Sequence, residues 1–312
     1  AVTKWQGLRT LARNSGVNPP WSSSDVGFKV GPRLNAAGRL GEAKRAFHLL
    51  MCSEEEEAER LASELEEENG KRRSIAEEVL ELAEAQIAER FNLAEDQAIV
   101  VGGEGWHEGV IGIVASKLMI KHNRPCIVIG FDQEGMGKGS CRSVRGFSLV
   151  TALRECSEHL EKCGGHDMAA GLSIRREAFE SFRNLFTACA KKSLRMKDLV
   201  PTIILDVEVQ LHELTQYLLD QMDRLGPFGI ANPAPVFLLR KVFPVGPPKV
   251  MKLKHLSLEI QQEKQRTRAI WFNGATEALP EPPWDIAFDL TRNEYQGRVQ
   301  AQVQIRAVRT AQ

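Results

Sequence analysis

The stretch KGSCRS (Lys138–Ser143) carries a lysine, a serine and an arginine at alternate positions. Side chains alternate faces along a strand, so Lys138, Ser140 and Arg142 project together. Two cations flanking a hydroxyl suit a phosphate, and an arginine can hold one through two parallel hydrogen bonds. The same spacing also fits an edge strand with a solvated cationic face. GGHDMAAG (Gly164–Gly171) sets a histidine beside two glycines. Glycine lets a ligand approach the backbone closely, and His166 can bind phosphate or act as an acid or base near neutrality. A lone histidine also serves as a structural residue, and nothing local pairs with it as a metal ligand. KVGPRLNAAGRLGEA (Lys29–Ala43) mixes small residues with Arg33, Asn35 and Arg39. That composition suits a tight backbone carrying a few long polar side chains.

Other signatures fail on inspection. GGEGWHEG follows an apolar run, but a dinucleotide fingerprint registered on Gly103 and Gly105 needs glycine where Glu108 stands. GMGKGS has Gly139 where a phosphate loop needs Ser or Thr. No H-E-x-x-H, no G-x-S-x-G and no aspartate cluster with ligand spacing occurs. The six cysteines form no C-x-x-C pair, which argues against structural zinc. In a chain of 312 residues with an ordinary apolar content they read as reduced thiols of a cytoplasmic protein. No apolar run reaches the roughly 18 residues of a membrane span. Formal net charge is zero. Residues 53–95 are strongly acidic and residues 191–312 mildly basic, so neutrality does not exclude a local polyanion-binding surface.

The elements that must position these residues can be read in outline. Residues 53–91 carry apolar positions near helical period, with Ser53 as N-cap and glutamates in the first turn. One long helix is expected there, a strut between domains, with Gly70 as a point of interruption. From residue 96 short apolar runs alternate with helical patterns: strands at Ala98–Val101, Pro125–Gly130, Gly137–Ser143 and Met168–Ile174, helices at Val110–Met119, Phe147–Leu160 and Glu177–Ser193. That alternation indicates an α/β domain. After a boundary in Lys191–Pro201 the chain is strand-rich. Val299, Ala301, Val303, Ile305 and Ala307 alternate with polar residues, after a turn at Asn293–Gly297. A small β-barrel or sandwich fits. Its polar face, with Tyr295, has the charge and stacking character of a single-strand binder, or of an ordinary solvated face.

Taken together, GPRLNAAGRLG, GWHEGVIGIVAS, GSCRSVRGFSL, CGGHDMAAG, LGPFGIANPAPVF and NEYQGRVQAQVQI resemble, in order, the motifs of RecJ-type single-strand-specific DNA exonucleases. GGHDMAAG alone indicates the wider DHH-associated domain, shared with nanoRNases and alanyl-tRNA synthetases; LGPFGIANPAPVF and the β-rich tail narrow it. The resemblance implies a fold that is α/β plus β-rich. Residues 1–50 are then the end of a DHH domain and 51–95 a connecting helix. Residues 96–195 are the DHH-associated α/β domain, and 196–312 an OB-like β-barrel. It implies 5′→3′ hydrolysis of single-stranded DNA with Mn²⁺ or Mg²⁺. The Asp-His-His and the aspartates that hold those ions are absent from this sequence, which leaves a chain expected to be a C-terminal portion and inactive alone. By the same resemblance Ser140 and Arg142 grip the 5′-terminal phosphate. Arg33, with Asn35 and Arg39 in the same motif, lies along the DNA backbone. Gly164, Gly165 and His166 face the metal centre across the cleft, with His166 the catalytic candidate and His107 a weaker substrate contact. Implied partners are single-stranded DNA, a helicase and a single-strand-binding protein, for a monomer away from membranes. The alternatives are a non-catalytic single-strand-binding or scaffold protein and a nanoRNase-like phosphodiesterase; the β-rich tail argues against the latter.

Overall fold

A computed structural model describes residues 3–295 and 298–312. The chain divides into two compact units, Ala1–Pro201 and Thr202–Gln312. In the first, helix α1 (Gln6–Asn14) precedes the proline break. The short α2 (Ser23–Asp25) opens on a capping box: Ser22 Oγ accepts from the Asp25 amide at 3.0 Å, and the Asp25 carboxylate accepts from the Ser22 amide at 3.1 Å. Lys29 donates to the same carboxylate, and with Ser22 it holds the Asp25 pKa down at about 2. A π-turn (Val26–Val30) leads into α3 (Gly31–Leu40) and then α4 (Lys44–Met51). GPRLNAAGRL is thus a regular helix rather than an irregular tight backbone. Pro32 fits its first turn, and Ala36 and Ala37 are buried where α3 packs on the long helix.

That long helix, α5 (Glu55–Arg90), has 36 residues and so runs about 54 Å. Glu54, not Ser53, is its N-cap residue, and it makes no side-chain cap bond; the stabilising feature is the set of glutamates Glu55–Glu57 at the positive end of the dipole. Gly70 does not interrupt it. The helix changes partners half-way. Ala58, Leu61, Ala62 and Leu65 share a core with Leu11, Ala37 and Leu49. Ala76, Val79, Ala83 and Ile87 share another with Val110, Val114, Ile99 and Val101.

The rest of this unit is a five-stranded sheet with helices. The elements run β1 (Ile99–Glu104), α6 (Glu108–His122), β2 (Cys126–Phe131), β3 (Met136–Arg142), α7 (Leu149–Glu155), β4 (Lys162–His166), β5 (Ala169–Arg175) and α8 (Phe179–Ser193). Strand order is β1-β2-β3-β5-β4, with β1 and β2 parallel and the other pairs antiparallel. CGGH, to which the sequence assigns no element, belongs to the edge strand β4. Two glycines and no β-branched residue hide it from a propensity reading. One face packs α7 and α8 over Ile127, Ile129, Cys141, Leu172 and Ile174. The opposite face packs α5 and α6 over Ile99, Val101, Cys126 and Val128.

The second unit contains β6 (Val207–Glu208), α9 (Gln216–Leu225), β7 (Phe237–Pro244), β8 (Lys249–Met251), β9 (His255–Gln262), β10 (Gln265–Trp271), β11 (Trp284–Tyr295) and β12 (Arg298–Thr310). Strand order is β6-β7-β11-β12-β10-β9-β8, and β9 also pairs with β7. Five strands therefore close on themselves around Leu239, Ile260, Ile286, Phe288 and Ile305, as in a small Greek-key barrel. The expected alternation in β12 holds from Ala301 through Ile305; the Val299 side chain lies outside the described residues. The register then shifts opposite Ala287 and Phe288, where Arg306 is the extra residue on β12, and the inward position moves from Ala307 to Val308. The expected turn at Asn293–Gly297 includes Gln296 and Gly297, which lie outside the described residues, as does the Tyr295 side chain.

Candidate nucleic-acid interface

Strand register brings the sequence candidates of the first unit onto one surface. Lys138, Ser140 and Arg142 on β3 pair with Ser173, Gly171 and Ala169 on β5, which pair in turn with Lys162, Gly164 and His166 on β4. Helix α6 covers this face of the sheet over β2 and β3. Every residue of β4 is exposed. The step from covered to uncovered sheet leaves a groove of about 350 Å³, lined by Arg39, Gly112, Ser140, Arg142, Gly171 and Ser173 among others.

The Arg142 guanidinium is held at the head of this groove. Its Nε donates to Ser116 Oγ at 3.0 Å; its Nη1 donates to Ser140 Oγ at 3.0 Å and to the Cys141 carbonyl at 2.8 Å. No hydrogen bond among the described residues uses Nη2, which lies where a Cβ on Gly112 would come within 3.3 Å. Ser140 accepts from the arginine, so its own hydroxyl proton is available to a ligand. One N–H₂ and one O–H therefore face open space side by side, a charge-assisted seat for an anion. Lys138 stands further along the same face and is ion-paired with Glu108, which raises its pKa. The intervening Cys141 points the other way, into the core, and burial pushes its thiol up to about 12. It is a packing residue at any physiological pH.

The glycines separate into two kinds. Gly165 has φ +144°, and a Cβ there would strike the Ala169 carbonyl and the Ala170 Cα, both at 2.5 Å. The hairpin itself requires glycine at that position. Gly164 has no atom within 4 Å of a would-be Cβ, and Gly171 has only the Gly139 carbonyl at 3.7 Å. Neither has a positive φ. Within the fold nothing demands glycine at either place; Gly171 lines the groove, and Gly164 is its ladder partner on β4.

The remaining candidates are distributed around this groove. Arg39 is exposed; its Nη1 donates to the Gly109 carbonyl at 3.0 Å, tying α3 to the first turn of α6. Arg33 is committed to protein: its side chain is 15% exposed, its Nε is paired with Glu66 on α5, and its Nη1 donates to the Lys29 carbonyl at 2.6 Å. Asn35 is exposed on α3. His107 is the N-cap of α6, its Nδ1 accepting from the Gly109 amide at 3.0 Å. His166 ends β4, exposed. Arg72 on α5, half-buried near Arg39, has an Nε without a partner, and burial lowers its pKa. Sequence reasoning missed Gly112, Ser116, Gly171 and Ser173. A signal exists for the first two: Gly109, Gly112 and Ser116 recur at i, i+3 and i+7 on α6, the spacing of one helix face.

These residues do not make a seat for a divalent ion. Among the described residues no three of His, Cys, Asp and Glu converge as ligands. No described helix is long and apolar enough to cross a membrane. A second cavity, about 550 Å³, lies in the other unit, lined by Lys249, Ser257, Arg266, Arg268 and Gln300. There Arg268 Nε donates to Ser257 Oγ at 2.9 Å, and Arg266 Nε to Gln261 at 2.8 Å. Gln300 belongs to the polar set of β12 singled out in the sequence.

Residues 95–192 match the family model of the DHHA1 domain, and residues 205–307 that of the RecJ OB domain. The chain is 35% identical over 306 residues to the single-stranded-DNA-specific exonuclease RecJ of Bacillus subtilis (strain 168), an alignment covering 96% of this chain and 39% of that protein. To the exonuclease of the same name from Thermus thermophilus it is 32% identical over 303 residues, covering 97% of this chain and 42% of that one. The crystal structure of the Thermus thermophilus RecJ in complex with Mg²⁺ superposes with a TM-score of 0.82 at 30% identity, over 99% of this chain and 47% of that chain. Its Mn²⁺ complex gives the same TM-score. The chain thus spans about two fifths of the length of these two curated relatives. Two family models in tandem, and relatives of one kind over nearly the whole length, make this chain a member of the RecJ family that carries its DHHA1 and OB regions.

Proposed function

We propose that this chain supplies the single-stranded-DNA grip of a 5′→3′ exonuclease, holding the 5′-terminal phosphate at Ser140 and Arg142. The observation that carries this reading is the free N–H₂ and O–H pair at the head of a groove whose glycine floor nothing else in the fold explains. A duplex is a rod about 20 Å across, whereas a single strand laid along β3, β5 and β4 meets a strip three strands wide, roughly 10 Å. Gly164 and Gly171 let the sugar–phosphate chain lie against main chain. The arginines and Lys249 around the second cavity give a further surface for the same polyanion, by charge and hydrogen bonding. His166 and Gly165 mark the side of the groove away from α6.

Hydrolysis belongs to the same reading but not to these residues alone. Two-metal hydrolysis needs ions held between carboxylate and imidazole ligands to activate water and stabilise the leaving oxygen. Among the described residues no such donor set converges, so these residues are given the grip and not the cutting. The test is fluorescence anisotropy with 5′-phosphorylated oligothymidylate, single-stranded or in a duplex, across a salt series, together with a nucleotide-release assay in Mn²⁺. Preferred binding of the single strand, weakening steeply with salt as counterions are released, and no release of nucleotides are expected. Equal affinity for blunt duplex, a flat salt response, or nucleotide release by a nuclease-free preparation would each overturn the corresponding part.

A further inference from the structure

An arginine on a strand has several rotatable bonds, and a freely turning guanidinium recognises charge without recognising shape. Three acceptors fix Arg142, and they come from two elements. Ser140 and Cys141 are its own neighbours on β3; Ser116 is on α6 and is the partner that ties the guanidinium across to the helix. Ser116 is itself oriented. Its hydroxyl donates to the Gly112 carbonyl one turn back, at 2.9 Å, so its proton is spoken for and a lone pair is left to accept from Nε. Gly112 completes the arrangement: a Cβ at that position would lie 3.1 Å from Ser140 Oγ and 3.3 Å from Arg142 Nη2, inside the space where an anion would sit.

We infer that Ser116 is a positioning residue for recognition of the terminal phosphate, acting through Arg142, and that Gly112 keeps the anion seat open. The inference rests on the proposed role of Arg142 and deepens it. With Ser116 in place, Nε is consumed by protein and the plane of the guanidinium is set, so Nη2 and the Ser140 hydroxyl meet a phosphate from a fixed direction. Without the hydroxyl, Nε–H faces a methyl group in a half-buried site and the guanidinium turns away to find another acceptor. Overall attraction for a polyanion survives, because the charge is still there. The ability to tell a phosphorylated end from a bare one does not.

The experiment compares Kd for 5′-hydroxyl and 5′-phosphorylated oligothymidylate in the native chain and in Ser116→Ala, Ser116→Thr and Arg142→Ala. Losing one neutral acceptor predicts a fall in the discrimination ratio of about three- to tenfold for Ser116→Ala, recovery in Ser116→Thr, and loss of discrimination in Arg142→Ala. Exchange of the Arg142 Nε–H with water, read by NMR, is expected to be faster in Ser116→Ala than in the native chain. If Arg142→Ala loses discrimination while Ser116→Ala keeps it, the inference about Ser116 is wrong and the phosphate grip stands. If Arg142→Ala keeps discrimination, the grip itself is wrong. A Ser116→Ala loss that Ser116→Thr does not repair, or unchanged Nε–H exchange, assigns the effect to packing and overturns the positioning role.

Discussion

Arg142 divides its five N–H donors between the protein and the outside, and the proposed phosphate grip rests on that division. Period-two alternation is enough to place Lys138, Ser140 and Arg142 on one face, because it is a property of the strand alone. The division is not visible at that level, because Ser116 meets Arg142 only when α6 lies over β3. Arg33 shows the reverse case. Its motif resembles a DNA contact, yet in the fold its guanidinium is paired with Glu66 and largely covered. The glycines give the sharpest separation at this scale. Gly164→Val introduces a β-former on an exposed edge strand, with open space for its Cβ and no positive φ. Its urea-unfolding midpoint is expected to be unchanged or slightly higher, while single-strand affinity falls several-fold. Unchanged affinity would show that nothing binds along the groove floor.

At the scale of elements, α3, α6 and the β3–β5–β4 strip set the walls of the groove. Long apolar periodicity makes α5 and α6 legible, and short β-branched runs make β1 and β2 legible. α3 escapes a sequence reading because its glycines, alanines, arginines and asparagine offer no apolar stripe, and β4 because CGGH has no strand propensity of its own. Both are held by tertiary contact: α3 by the face of α5, β4 by the ladder with β5. The junction of α3 with α6 is close-packed. A Cβ on Gly109 would lie 2.1 Å from the Arg39 carbonyl oxygen. Gly109→Ala gains up to about 1 kcal/mol of helix propensity, but it forces backbone apart, and overpacking of that kind costs about 1–3 kcal/mol. The clash is expected to win. Denaturant unfolding should show net destabilisation and loss of the Arg39–Gly109 hydrogen bond; a more stable variant would mean that α3 and α6 are not packed as described.

At the scale of the whole molecule, zero net charge conceals the distribution that matters. Acidic residues crowd the solvated faces of α5, whereas Arg39, Lys138, Arg142 and Lys162 gather on one side of the five-stranded sheet. Each unit encloses its own apolar core. Motif order and the β12 alternation make both fold types readable in the sequence. They do not foretell that β7 pairs with β9 to close the barrel, because those strands stand at the two ends of the β7-β11-β12-β10-β9 run and meet only when the sheet curls. The central claim is that a phosphorylated single strand lies in the groove of the first unit with its end at Ser140 and Arg142. The most direct measurement is an amide NMR titration of the chain with 5′-phosphorylated oligothymidylate. The account predicts the largest perturbations at Ser140, Arg142, Gly164 and Gly171; saturable binding that leaves those four amides unmoved would contradict it.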